Sequence, residues 1–525
     1  MTLPAWGIPA ALGAWTAALI GWNLSVGAQL SALPGSSRMQ RVVAGLAAFL
    51  CVPALAIALL APGAAGARVL GPLIWLWPVV TLGFAVQSLT AIVRTRGSLL
   101  VAAALLLFNG VATWTATTRW LAGEGIALPL WVLTPGMAVA SVTASLAGAW
   151  AFAWGTVPVL PLLVPVTPAP QRLGRAVRVV LAVGCAAAVS ATVLALPRAH
   201  EMLRATRALD TGVAEVSARS ELAIGFTVFG PVIGSPSGAL ARADVALADS
   251  LGATAVGVTL VDGVTTAALD SVARAVEPRR DSIALVVSLR LPSGDAARAV
   301  EGEQTDATIE RIVRRVRPSV LLPAAPVSLG PPTRSLDEWK AFYRRAAAAA
   351  HRANRRVVIA LATDASSPTD SALVDWVMRG QTPVGAVALT VGDASDPGRF
   401  ADALNALARW ASLARTVPDV WIVGVPAAPD LTGEVVQQQL VRHALLWGAA
   451  HSWVRGVIAG EASDIITASG LRTASGRARR ALAEVATALR LQREATAAAS
   501  AIAVPDSSTA GGRTILPDSL SPPRP

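Results

Sequence analysis

Eight short apolar segments decide the fold of this chain. They are Leu222–Val228 (LAIGFTV), Ala255–Val261 (AVGVTLV), Ile283–Leu289 (IALVVSL), Ser319–Leu322 (SVLL), Arg356–Leu361 (RVVIAL), Gly385–Val391 (GAVALTV), Val420–Val425 (VWIVGV) and Trp453–Ile458 (WVRGVI). Their near-continuous Val, Ile, Leu and Ala content suits strands buried on both faces. Between them lie stretches with a single apolar stripe: Leu240, Leu247 and Leu251; Leu336, Trp339 and Tyr343; Phe400, Leu404 and Leu407; Val436, Leu440 and Trp447. Spacings of three, four and seven set one helix face against a strand layer. This alternation between Glu221 and Asp464 predicts a closed parallel (β/α)8 barrel, an architecture that carries its chemistry at the C-terminal strand ends. An open doubly wound sheet is the alternative. Its Gly-rich phosphate loop is missing, because Gly230-Pro231-Val232-Ile233-Gly234 lacks both the spacing and the helix start.

The rest of the chain has a different composition. Of its 525 residues, 54% are hydrophobic, and the mean hydropathy is +0.55. Residues 1–200 hold one acidic side chain, Glu124, while arginines are scattered between long apolar runs. A bilayer crossing takes about 20 apolar residues, and runs of that order occur near 6–30, 42–60, 73–93, 98–118, 131–154 and 177–196. The expectation is an N-terminal all-α transmembrane bundle of six helices over 1–200 in the cytoplasmic (inner) membrane, with the lipid bilayer as its partner. A linker over 201–220, the barrel over 221–494 and a disordered tail over 495–525 would follow.

Arg38 and Arg41, Arg94 and Arg96, and Arg172, Arg175 and Arg178 mark alternate loops. The positive-inside rule then places the barrel on the extracytoplasmic side. No run has an acidic residue at its centre, and Asn23, Gln29, Gln87 and Asn109 are among its few polar groups, so ion-coupled transport is disfavoured. The formal charge of +11 comes without a basic stripe or interleaved aromatics, which argues against a nucleic-acid partner. Cys51 and Cys185 lie in apolar runs, and His200, His351, His443 and His451 form no ligand spacing. Neither a metal nor another cofactor is expected.

Val420-Trp421-Ile422-Val423-Gly424-Val425-Pro426, Gln437-Gln438-Gln439, Gly456-Val457-Ile458 and the closing segment Gly470-Leu471-Arg472-Thr473-Ala474-Ser475-Gly476-Arg477 resemble, in order and spacing, the last quarter of one barrel clan. That clan is the retaining glycoside hydrolases, and the resemblance covers roughly residues 221–490. It implies a glutamate nucleophile at the end of strand seven and an Asn-Glu pair after strand four, with the two carboxyls about 5 Å apart. Here Gly424 stands at the first position, and Ala324 and Ala325 at the second. A hydrogen or a methyl group can neither attack an anomeric carbon nor donate a proton.

Polar groups at other strand ends are Asp262, Arg290, Asp364, Asp393, Asp430, Glu461 and Asp464. Each could line a mouth for sugar hydroxyls, or serve only as a helix cap or solvated loop charge. Three readings follow. The first is a pseudoenzyme barrel that binds a polysaccharide or other glycan, or scaffolds envelope assembly. The second is a glycoside hydrolase with relocated carboxylates, Glu461 with Asp364 or Asp393. The third is a membrane transport or assembly component with the barrel as an accessory.

Overall fold

In this computed structural model the described residues are 20–30, 38–60, 70–94, 99–123, 219–232, 238–261, 263–290, 303–324, 335–365, 368–380, 382–390, 397–414, 417–425, 433–464, 469–473 and 475–502, with a few single positions besides. Residues 20–30 are helical, and three further helices follow in the N-terminal region: α1 (Arg38–Leu60), α2 (Leu76–Arg94) and α3 (Leu99–Gly123). Small residues let them approach closely. Ala44, Ala47, Ala48 and Ala54 are buried with Phe84 and Phe108. A polar contact crosses the same interior, where the Asn109 amide donates to Ser88 Oγ at 2.6 Å.

Among the described residues, no helix is long and apolar enough to cross a membrane. The expected transmembrane bundle is therefore corrected. Hydropathy counts residues one at a time and does not register what each run contains or where its helix starts. Pro53 removes a backbone donor inside α1, and the run at 73–93 begins with a 3-10 turn, Gly71–Leu73, before α2 starts at Leu76. The second half of α3 carries Asn109, Thr113, Thr115, Thr117, Thr118 and Arg119. The runs near 131–154 and 177–196 lie almost wholly outside the described residues.

The barrel is present. Strands β1 (Ala223–Val232), β2 (Ala255–Val261), β3 (Ala284–Arg290), β4 (Val320–Leu322), β5 (Val358–Thr363), β6 (Ala386–Leu389), β7 (Asp419–Val423) and β8 (Val454–Glu461) close in sequence order, and every pair is parallel. Around them lie α4 (Gly238–Leu251), α5 (Thr266–Val276), α6 (Glu303–Val316), α7 (Leu336–Ala353), α8 (Pro368–Met378), α9 (Pro397–Leu413), α10 (Glu434–Ala450) and α11 (Arg480–Ile502). The apolar stripes do what their spacing requires. Ile309, Ile312, Val313 and Val316 of α6 are fully buried, as are Phe400, Leu404 and Leu407 of α9. Because Ala-rich sequence sustains helix, α11 continues to Ile502, past the expected start of the tail.

Alternation along each strand separates two apolar layers. One faces the helices; the other fills the lumen and comprises Ala255, Val286, Val320, Leu322, Ala360, Ala386, Ala388, Trp421 and Ile458. An eight-stranded barrel leaves just enough interior for side chains. Here an indole enters it, and small residues beside it make room. Trp421 pairs with Gly456 across the β7–β8 ladder, and a Cβ on Gly456 would come within 2.2 Å of the Trp421 ring.

The ends of the barrel are tied together. The Arg219 guanidinium donates to the carbonyls of His451 and Val454 beside β8, and the Gln492 amide of α11 donates to the carbonyls of Ser220 and Leu222 at the start of β1.

The Trp421–Gly456 fit makes a specific prediction. Gly456→Ala should destabilise the protein by about 1–3 kcal/mol, the usual range for overpacking. Combining it with Trp421→Leu should cost less than the two single changes together, because the ring supplies the nearest clash. Urea unfolding of the two single variants and the double variant reads both quantities, and strict additivity would refute the contact as the cause.

Candidate functional site

The C-terminal mouth of the barrel owes its layout to an irregularity between β8 and β1. Gly225 pairs with Ile458, but the next partners are Thr227 and Glu461, so β8 carries an extra residue there. Gly460 sits inside this bulge at φ 134°, a conformation that favours glycine. Thr227 lies on the lumen face, since its Oγ1 would be 2.6 Å from a Cβ on Gly257. Residues opposite one another in a ladder share a face, so the bulge turns Glu461 toward the mouth. Regular alternation from Ile458 would put Gly460 there instead. On β3, Val286 lines the lumen, and Ser288 and Arg290 follow at steps of two. Thr227, Thr259, Ser288, Arg290 and Glu461 thus place polar groups on the lumen face toward the mouth, with Thr227 and Ser288 buried and Arg290 exposed.

Beyond Glu461 the chain is held by two buried ionic clusters. Segment 469–473 folds back along the strand end, with Leu471 N–H donating to Glu461 O at 2.8 Å and Arg472 N–H to Ala462 O at 2.9 Å. Asp464 receives both arms of the Arg479 guanidinium, at 2.6 and 2.7 Å, and the Gly470 N–H at 2.8 Å. Glu434, at the start of α10, meets Arg477 at 2.8 Å. In the second cluster, Asp244 of α4 accepts from Ser463 Oγ at 2.7 Å and from Arg472 at 2.5 Å. Burial raises the Asp244 carboxyl above the usual range, against the hydrogen bonds from Ser463 and Arg472 and the Arg472 charge.

Glu461 differs from these acids. It is half-buried and has one long hydrogen bond, from Ser469 Oγ at 3.4 Å. Burial, and then the charge of Asp464, push its carboxyl up to about 7; Asp244 adds to this, while Arg290 and Ser469 oppose it. Near neutral pH it can therefore hold a proton and donate it, as a general acid or an acidic hydrogen-bond donor does.

Of the residues singled out in the sequence, Asp464 and Arg290 each come into electrostatic reach of Glu461. Asp364 follows the end of β5, half-buried, and is not among the charges acting on Glu461. Asp262, Asp393, Asp430 and Ala325 lie outside the described residues. Gly424 follows β7 at φ 82°, its N–H bonded to Ile458 O at 2.9 Å, and a Cβ there would meet no atom within 4 Å. The strand-seven end thus offers space and no functional group. Sequence reasoning missed Asp244, Glu434 and Arg479. The closing segment Gly470–Arg477 was the nearest signal, since its fold-back brings the arginines in. Among the described residues, no group of His, Cys, Asp and Glu converges to hold a metal ion.

No family model and no curated protein matches this chain. Among solved structures it is similar to Bifidobacterium dentium β-glucuronidase, at 12% identity and a TM-score of 0.37, covering 53% of this chain and 48% of that one. It is also similar to Thermotoga maritima xylanase 10B, at 10% identity and a TM-score of 0.37, covering 53% and 100%. A GH113 β-1,4-mannanase gives 10% identity and a TM-score of 0.35, covering 52% and 99%. The chain spans about half the length of the β-glucuronidase it matches. Likenesses at this level carry no activity across, so the functional reading rests on the mouth itself.

Two outcomes follow from the charges. Removing Arg479 (Arg479→Met) strands Asp464 without its partner and should destabilise the protein by about 3–5 kcal/mol, the range for breaking a buried pair. An equilibrium unfolding change well under that would refute the buried-pair assignment. Glu461 works the other way. Its folded carboxyl binds a proton more tightly than the ordinary value of 4.5 implies, so its contribution to stability falls as pH rises from 4.5 to about 7 and is level above. Glu461→Gln should flatten that part of the stability profile; an unchanged slope would reject the shift.

Proposed function

We propose that the barrel is a glycan-binding module whose mouth recognises sugar through Glu461 and its polar rim without cleaving the glycosidic bond. One observation carries this reading: Glu461 lacks a free carboxylate partner among the described residues. Hydrolysis with retention or inversion needs two working carboxyls, about 5 Å apart or up to about 10 Å. The acids that act on Glu461 are Asp464 and Asp244, and arginines hold both. Neither can serve as nucleophile or base without breaking its ion pair. Gly424 supplies no carboxyl at the end of β7. The rim that remains, with hydroxyls at Thr227, Thr259 and Ser288, a guanidinium at Arg290 and a carboxyl at Glu461, suits hydroxyl-rich ligands. The resemblance to retaining glycoside hydrolases supports sugar as the ligand class.

A second reading rests on the elevated Glu461 carboxyl, which matches the needs of a proton donor at neutral pH. It requires a second carboxylate from another sector of the mouth, and Asp364 at the end of β5 is the described candidate.

Binding and turnover separate the two. On an oligosaccharide array, the full-length chain should retain a ligand, and Glu461→Ala should weaken it about tenfold, the equivalent of one good hydrogen bond to a charged or strongly polar group. Aryl glycosides should not be turned over. Turnover that disappears in Glu461→Ala would establish the hydrolase reading instead, and failure to retain any glycan would reduce the barrel to a scaffold.

A further inference from the structure

The charges around the mouth are matched on one side and unmatched on the other. Beside β8, Asp464 is met by Arg479, Asp244 by Arg472 and Glu434 by Arg477. Elsewhere on the barrel, Arg279 is paired with Asp249, Arg315 with Asp270 and Arg455 with Asp419. Arg290, like Arg317, Arg356 and Arg442 elsewhere on the barrel surface, has no ion-pair partner among the described residues, and it alone of these ends a strand on the lumen face. It is the last residue of β3 and exposed, and among the described residues it makes no hydrogen bond or ion pair. Its place two residues beyond Ser288 and four beyond Val286 directs its stem to the lumen side. Glu461 approaches the same space from β8 and feels the Arg290 charge without touching it.

The two side chains offer the same kind of group to whatever lies between them. A guanidinium has only N–H donors, in a planar fork that fits carboxylate and phosphate oxygens. A protonated carboxyl adds one O–H donor. Serine and threonine hydroxyls at Ser288, Thr227 and Thr259 can turn to donate as well. A sugar hydroxyl would satisfy part of this array, whereas a negatively charged oxygen would satisfy all of it and also gain the attraction of Arg290.

We propose that the barrel mouth selects an acidic glycan, one whose carboxylate or phosphate oxygens sit between Arg290 and Glu461. This deepens the glycan-binding reading and rests on it. The anion then behaves as a third partner. It pairs with Arg290 wherever it is itself ionised, and it accepts a hydrogen bond from Glu461 only while that carboxyl is protonated. Above neutrality the ionised Glu461 repels it, with Asp464 and Asp244 behind it opposing that ionisation and Arg290 favouring it. Affinity therefore rises as pH falls through about 7.

Calorimetry on the full-length chain with trigalacturonic acid, its methyl ester, glucose 6-phosphate and inorganic phosphate tests the idea. The acid or the sugar phosphate should bind, with the stronger of the two identifying the oxyanion. The methyl ester should bind about tenfold more weakly or not at all. Arg290→Gln should remove the preference for charge. Glu461→Gln, which keeps a neutral donor, should bind at pH 8.5 as well as at pH 6 and so abolish the pH dependence. Equal affinity for the acid and its ester would overturn the anion site and leave the glycan reading standing. Inorganic phosphate binding as tightly as the sugar ligands would uphold the anion site and overturn the glycan reading. No binding of any probe at millimolar concentration would overturn this inference.

Discussion

The seam between β8 and β1 is the constraint on which the barrel depends. A sheet of eight parallel strands closes only if its first and last members pair, and the register they adopt sets which residues face inward everywhere else. The extra residue at Gly460 is placed in that seam. It lets β8 pair normally below Ile458 and turns Glu461 to the lumen side above it. The same seam is braced from outside by Arg219 and by Gln492 of the closing helix, so the two ends of the barrel sequence hold each other in place. Inside, the Trp421 ring packs directly over Gly456, where any side chain would collide with it.

The ionic clusters next to the seam are poor candidates for net stabilisation. Desolvating Asp464 and Arg479 costs several kcal/mol per ion, and their attraction offsets this only with good geometry and further hydrogen bonds. Both conditions are met here, through the bidentate contact and the additional bonds to Gly470. The return is geometric definition. Segment 469–473 is pinned to the end of β8, and Ser469 is thereby held near the Glu461 carboxyl. A rim residue whose proton affinity depends on its surroundings needs those surroundings fixed.

Much of the barrel was legible in the sequence because buried parallel strands leave a strong mark. All eight apolar segments became strands, and their intervening stripes became the helices that cover them. The strand ends were less legible. β3 runs on to Arg290, and β8 to Glu461, because ladder pairing carries past the apolar run, and a bulge has no signature beyond one more glycine. Asp244 sits on α4, far from β8 in sequence, and Glu434 opens the helix just before β8, and only the folded chain shows which arginine each meets. The N-terminal region misled for a different reason. Summed hydropathy is blind to Pro53, to the turn before Leu76 and to the hydroxyls in the second half of α3, and no described helix is long and apolar enough to cross a bilayer.

The backbone at Gly424 bears on how such a mouth could change over generations. A side chain added there would meet nothing, so space is no obstacle to an acid at this strand end. The obstacle is φ, held at 82° by a chain already bonded to Ile458. A left-handed conformation costs an ordinary L-residue about 1–2 kcal/mol. A glutamate placed there would have room for its side chain and would carry that backbone cost. The end of β7 thus combines open space with a backbone that favours glycine, so geometry and not crowding decides what can stand there.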